Sequence, residues 1–320
     1  MTTLQIDLST SSFKLDKLSV CYNEPNQDNV KATCGLLLDD KYTKSVPGLK
    51  ITKSPRYAVS CRIKVPYSEP CDDPQTVIFE AGPYLPGVAS YRLELNPDKI
   101  CKAGWDDLHT LLTSCIDVDP IALFRKGKIT RLDVALDLPG LSLEQIIVRT
   151  SKLQKHGLYS DRYGNPETSY IGTPRSRRVV AYNKPTMDKT GTLLRVEIRL
   201  KPQCLGMQIA SLPNPFEKVE LIPANFPYST ALLIPSQFFA DSIRIGGLKR
   251  AIFPLCEKDA KSLKNAYEMA TSILPSTDAL WANWPQTLVS YGLGQHLGAI
   301  SNLNQSGSSS AINCNTGVHS

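Results

Sequence analysis

An α+β fold, with a mainly antiparallel sheet covered by helices on one face, is what this sequence predicts. Three observations predict it. Residues 129–138, ITRLDVALDL, alternate cleanly, with Leu132, Val134, Leu136 and Leu138 on one face and Arg131, Asp133, Ala135 and Asp137 on the other. Residues 168–201 hold two further strand-like runs around a Pro/Gly-bearing connection at 185–192. From residue 76 onward the order of elements reads strands, helix, strand, helix, hairpin, the order of ferredoxin-like βαβ units.

Taken from the start, residues 1–30 are polar and offer a short strand at 17–22, KLSVCY. Between 34 and 65 the pattern suggests several strands (CGLLLDD, GLKITK, YAVSCRIKV) broken by Pro47, Pro55 and Pro66. TVIFEA at 76–81 and SYRLEL at 90–95 continue the strands, the second with Arg92 and Glu94 on one face. Apolar residues at 105, 108, 111, 112, 115 and 116 have helical spacing. Residues 117–128 read as a connector. Residues 142–154 read as an amphipathic helix after Pro139-Gly140, with Ser142 as N-cap.

In the hairpin, Arg178, Val180, Tyr182 and Lys184 share one face. In its second run Leu194, Val196, Ile198 and Leu200 turn inward, leaving Arg195, Glu197, Arg199 and Lys201 outward. The apolar faces would meet the helices, so the polar faces carrying Glu94, Asp133, Tyr182 and Glu197 would lie together. Beyond residue 201 the chain is first Pro-rich, then richer in helix formers. Helices are expected at 259–270 and within 281–297, with a break at Gly246-Gly247. The tail from 301 is low-complexity and reads as disordered. The organisation expected is a strand-rich segment packed on the core (1–75), a core (76–201), a helical C-terminal segment (202–300) and a tail (301–320).

Composition narrows the function classes. Nine widely spaced cysteines, with no C-x-x-C and no His at zinc-ligand spacing, read as buried free thiols in a reducing compartment. With no run of ~18 apolar residues and no signal-peptide pattern, a cytoplasmic protein with no membrane association is expected. Charge is uneven. Residues 149–201 carry 12 Lys and Arg against four acids, or +8, whereas the whole chain is +6 and the remainder therefore −2. One segment holds the excess, which points to a polyanion site.

A tyrosine hydroxyl, carboxylates and cations on one side of a sheet are the inventory for moving a phosphodiester. Tyr182, flanked by Arg178, Lys184 and Arg195, is the candidate nucleophile, and Tyr170 is the rival, otherwise given a packing or stacking role. Glu94, Asp133, Asp137 and Glu197 are candidate ligands for Mg²⁺ or Mn²⁺, whose hard ions prefer oxygen. Asp133 and Asp137 stand ~13 Å apart on a straight strand, so one metal takes one of them while the other pairs with arginines, unless a bulge closes the gap. Arg175, Arg177, Arg178, Arg195, Arg199 and Lys201 are candidate nucleic-acid contacts, as are Arg244, Lys249 and Arg250 in the C-terminal segment. G-x-S-x-G and the Walker A pattern are absent, which excludes an α/β-hydrolase of that signature and a P-loop ATPase.

The ordered set ITRLDVALDL, SYIGTPRSRRVVAYNK and LLRVEIRLK, preceded by YRLELNPDK, closely resembles the replication-initiation-factor family, the Rep_trans-type rolling-circle initiators of plasmids and filamentous phages. The resemblance covers about residues 76–201. It implies an HUH-like α+β core and a metal-dependent, site-specific nickase and strand transferase. A tyrosine becomes linked to the 5′ phosphate of origin DNA and frees a 3′ hydroxyl for priming. On this resemblance Tyr182 of AYNK matches the nucleophile, Lys184 orients the phosphate, and Asp133, Asp137 and Glu197 match the acidic positions. The resemblance also implies a host helicase and polymerase as partners, and often a homodimer. Family members often carry an acid after the tyrosine, where this chain has Asn183. Two alternatives stay open: a non-catalytic DNA-binding regulator on the same fold, and a transposase- or relaxase-type transferase, whose usual His-x-His pair is missing here.

Overall fold

The computed structural model describes residues 6–9, 11–67, 72–151, 155–174, 177–185, 191–225 and 236–293. The chain opens with β1 (Phe13–Tyr22), helices α1 (Gln27–Leu38) and α2 (Asp40–Ser45), and strands β2 (Leu49–Thr52), β3 (Tyr57–Val65), β4 (Gln75–Pro83) and β5 (Tyr91–Leu95). Helix α3 (Lys102–Thr110) runs on into a π turn, and α4 (Pro120–Lys126) leads into β6 (Lys128–Pro139). Next come β7 (Ile146–Thr150), β8 (His156–Ser160), β9 (Pro166–Gly172), β10 (Arg178–Asn183) and β11 (Leu193–Leu200). The remainder supplies β12 (Val219–Pro223) and helices α5 (Ser236–Ile252), α6 (Glu257–Met269), α7 (Asp278–Ala282) and α8 (Trp284–Ser290).

Ten strands form one sheet in the order β2-β3-β4-β5-β1-β6-β11-β10-β9-β8, and every pairing is antiparallel. The α+β fold with a mainly antiparallel sheet is therefore correct. Alternation decides the faces. Leu132, Val134, Leu136 and Leu138 of β6 are fully buried, as are Leu194, Val196 and Ile198 of β11. Each such side chain contributes roughly 1.5–3 kcal/mol on burial, so a one-residue slip would forfeit the whole set. Leu37 of α1, Leu108 of α3, Leu123 of α4 and Leu288 of α8 join the same cluster.

Four local expectations are corrected. Residues 34–40 are not a strand; they lie in or just beyond α1, which Asn26 caps at its Asp28 amide and which buries Val30, Thr33 and Leu37 at helical spacing. Residues 117–128 are more than a connector, since Asp119 caps α4 at Ile121. Residues 142–151 do not form the expected helix, and 152–154 lie outside the described residues. Ser142 and Gln145 do form a capping box, but only one 3-10 turn follows before β7. The β-branched run Ile146–Val148 pairs instead with β12, about seventy residues away in sequence. Strand β1 starts at Phe13 rather than near Lys17 and lies in the centre of the sheet, between β5 and β6. The sheet thus runs uninterrupted across the boundary expected near residue 75.

The C-terminal segment divides between two cores. Trp284 is fully buried in the main cluster and donates its Nε1–H to the Ile209 carbonyl at 3.0 Å. Phe239, Ile243, Leu263 and Tyr267 instead pack with Ile147 and Ile222 in a smaller one. The seven described cysteines are all free, but only Cys61 is buried; Cys21, Cys34, Cys115 and Cys204 are half-buried, and Cys101 and Cys256 are exposed. No helix among the described residues is long and apolar enough to cross a membrane. The expected tail at 301–320 lies outside the described residues.

Candidate active site on the polar sheet face

Cross-strand register lines the polar residues up in three rows. The first runs Thr168, Tyr182, Arg195, Asp137 across β9, β10, β11 and β6. The second runs Tyr170, Val180, Glu197, Ala135, and the third runs Gly172, Arg178, Arg199, Asp133, ending at Lys17 on β1. Of the strands expected to lie together, those of Asp133, Glu197 and Tyr182 are consecutive neighbours, whereas the Glu94 strand is separated from them by β1.

In the first row the Arg195 guanidinium is buried, its side chain only 4% exposed. It contacts Asp137 at 2.5 and 2.8 Å and Asp16 at 2.9 Å, with Asp98 at 3.9 Å. Burial alone would raise the Asp137 carboxyl, but Arg195, Lys184 and Lys14 outweigh it and hold it at about 2. Arg195 is thus no surface phosphate contact. Its charge is committed to two aspartates, and it lies within hydrogen-bond reach of Tyr182. Burial raises the Tyr182 phenol above its usual range, partly offset by Arg195. Both aspartates are arginine-paired, Asp137 with Arg195 and Asp133 with Arg131, so they differ in which arginine holds them.

The second and third rows hold a different arrangement. Glu197 faces Val180 and Ala135 across the ladders, so it has no cross-strand cation. Its nearest groups are Arg199, two residues along the same strand at 2.6 Å, and, on the diagonal, the carboxyl of Asp133, which is fully buried. Burial, and then the neighbouring Asp133, push the Glu197 carboxyl above its usual range despite Arg199. Arg131 pairs with Asp133 through two contacts of 3.0 Å, and Arg199 stands 3.8 Å away. These groups line a cavity of about 330 Å³ together with Asp16, Lys17, Glu94 and Asn96. Asn96 Oδ1 is buried there without a hydrogen-bond partner.

The four expected metal ligands do not form one set, although Glu94, Asp133 and Glu197 line the same cavity. Asp133 and Glu197 come together, Asp137 is drawn to Arg195, and Glu94 pairs with Lys17 at 2.6 Å and with Arg92. Among the described residues no three or more His, Cys, Asp or Glu side chains converge as a metal-holding group. An adjacent pair of carboxyls, one of them under-neutralised, beside an orphaned amide oxygen is nonetheless an oxygen donor set that suits a hard divalent cation.

Of the cations, Lys184 lies 3.4 Å from Asp137, and Arg178 stacks over Tyr170 at 4.1 Å. Arg177 is turned away to donate to the Pro215 carbonyl. Lys201 is exposed. Arg175 lies outside the described residues. Arg244 is corrected: it is buried and donates to the Ile146 and Glu144 carbonyls, locking α5 onto β7. Asn183 accepts from the Leu143 amide at 2.7 Å and donates to Glu144 at 3.0 Å. An acid there would face Glu144, which accounts for the amide at this position.

Asp16 was missed in the sequence, along with Lys14, Lys17 and Asn96. A register shift between Leu15 and Lys17 leaves Asp16 without a partner on β6 and frees it to reach Arg195. The alternating charges of KLDK were the available signal. A larger cavity, about 970 Å³, lies at the junction of β7, β8, α5 and α6. Gly247, at φ 76°, lets the backbone pass close to His156 there, where a Cβ would come within 2.8 Å of the ring. No protein-family model matches the chain, and no curated protein matches it significantly.

Proposed function

We propose that the protein is a tyrosine-dependent DNA strand transferase, and in particular a rolling-circle replication initiator. The observation that carries this reading is the adjacency, on one sheet face, of Tyr182 and its buried Arg195 with the Asp133–Glu197 carboxyl pair. Tyr182 Oη attacks the scissile phosphorus of origin DNA. The bond from phosphorus to the 3′ oxygen breaks, the phenolic proton ends on that oxygen, and a 5′-phosphotyrosine remains. One phosphodiester bond is exchanged for another, so the linkage is retained for the rejoining step.

Because Tyr182 is raised rather than ionised, Arg195 acts by stabilising the phenolate as it develops. Asp137 and Asp16 keep that guanidinium in place. Lys184, next to Asp137, is positioned for a phosphate oxygen. Asp133 and Glu197, with Asn96 Oδ1, would hold Mg²⁺ or Mn²⁺, which polarises the phosphoryl oxygen when bound. Origin DNA, single-stranded or supercoiled, is the substrate in this reading, and a host helicase and polymerase extend the freed 3′ end.

The test is a nicking assay on supercoiled DNA bearing the protein's own replicon, with Mg²⁺ or Mn²⁺ and with EDTA. Metal-dependent relaxation with a covalent protein–DNA band is expected, both lost in Tyr182→Phe. Cleavage that survives in that variant moves the nucleophile to Tyr170. DNA binding without cleavage under any metal favours the regulator.

A further inference from the structure

Two strands beyond Tyr182, the same sheet face changes character. Register puts Tyr159, Gly157 and Tyr170 on the side that carries Tyr182 and Glu197. Tyr159, on the edge strand β8, is 65% exposed. Its ring meets Tyr170 edge-on at 5.4 Å, and the Arg178 guanidinium lies over Tyr170 at 4.1 Å. Arg178 Nε is buried without a hydrogen-bond partner. Tyr163, 73% exposed at the tip of the β8–β9 hairpin, carries Arg162 over its ring at 4.6 Å.

Gly157 is the informative residue. It sits directly opposite Tyr170, and a Cβ built on it meets nothing within 4 Å. The sheet surface is therefore open above Gly157, leaving a slot beside two tyrosines. Glycine weakens a strand, and neither a positive φ nor a close backbone approach calls for it here. The occupant is fixed by chemistry. Rings with cations laid over them suit planar bases that alternate with phosphates, and the segment holding them carries the chain's excess positive charge. A stacked base needs an unpaired strand, since duplex bases hide their faces.

We propose that Tyr159, Tyr170 and the slot over Gly157 form a stacking platform for unpaired bases of single-stranded DNA, with Arg178 and Arg162 serving its phosphates. This rests on the strand-transferase reading and extends it. Strands β8 and β10 are roughly 10 Å apart, so a strand crossing Tyr182 reaches the platform within a few nucleotides. The platform holds the strand flanking the cut, and Arg199, which lies near both Tyr170 and Glu197, connects the two regions.

The test uses the full chain as Tyr182→Phe, so that binding is read without cleavage. Fluorescence anisotropy compares a labelled single-stranded oligonucleotide, the same length of abasic strand and the matching duplex. Tyr159→Ala is expected to weaken single-strand binding about tenfold and to leave abasic binding unchanged, whereas Tyr159→Trp retains affinity. Gly157→Val fills the slot. It should lower single-strand affinity while raising the unfolding midpoint, which separates blockage from misfolding. Equal losses on the abasic strand, or no loss with either variant, overturn the platform. Preference for duplex overturns it in favour of groove binding, and no binding to any of the three probes overturns it outright. The nicking assay on the Tyr182 protein is scored separately. Nicking with unaltered Tyr159→Ala binding removes the platform alone, and base-dependent binding without nicking removes the transferase reading alone.

Discussion

At β6 and β11 the polar sheet face buries Asp133, Arg195 and Glu197, whereas at β8 the same face exposes the Tyr159 ring. Asp133, Arg195 and Glu197 are at most 3% exposed, while Tyr159 is 65% exposed. The centre can bury ions because neighbouring strands supply counter-ions at fixed register: Asp137 opposite Arg195, and Asp133 opposite Arg199. At the edge no further strand among the described residues supplies them, and uncharged rings with arginines laid over them take their place. One face can thus combine a rigid, preorganised centre for chemistry with an accessible rim for recognition.

The sharpest way to break this contrast is to remove the central guanidinium. Arg195→Ala leaves Asp16 without its cation and Asp137 with only the half-exposed Lys14 and Lys184, and is expected to cost about 3 kcal/mol. Urea unfolding measures it, and a loss under about 1 kcal/mol would mean that water replaces the guanidinium and the centre is no more rigid than the rim.

Acid titration comes next in size. Asp137 is held at about 2 in the fold against about 3.9 unfolded. Its folded value is depressed, so its contribution, about 2 kcal/mol, is complete above pH ~4 and lost as pH falls toward 2. Asp137→Asn should flatten the stability profile across that window, and an unchanged profile would contradict the pairing with Arg195.

Glu197 carries the opposite sign. Its raised folded value means that ionisation opposes folding once pH exceeds the unfolded value. Glu197→Gln should therefore be neutral at pH 4 and stabilising at pH 7, while nicking is lost. A protein destabilised at pH 7 by this change would show that the carboxylate holds the fold together rather than serving the site. The smallest effect belongs to the rim: Tyr159→Ala should change stability by less than about 0.5 kcal/mol. A larger cost, seen in thermal unfolding, would make Tyr159 a packing residue.

How much of this was legible beforehand differs residue by residue. The outward set Asp133, Tyr182 and Glu197 followed from period-two alternation, because apolar burial admits only one choice of face. The division of labour between Asp133 and Asp137 did not, since it depends on which residue of β11 stands opposite each. Asp16 was hidden by a one-residue shift in register on a strand whose start was read too late. Residues 142–154 misled because a capping box and apolar spacing both favour a helix locally, while the partner that makes Ile146–Val148 a strand lies at 219–223. Arg244 looked like a surface cation, and only the packing of α5 against β7 shows it feeding backbone carbonyls.

By itself, then, the sequence determined the fold class, the inward and outward faces of the central strands, and the chemical inventory of the polar face. Those follow from local periodicity, which every residue carries with it. The tertiary structure alone decided which acid meets which cation, which arginines remain near solvent, and where the aromatic rim stands relative to Tyr182. Strand order and register bring together residues far apart in the chain, and nothing in a strand's own alternation names its neighbour.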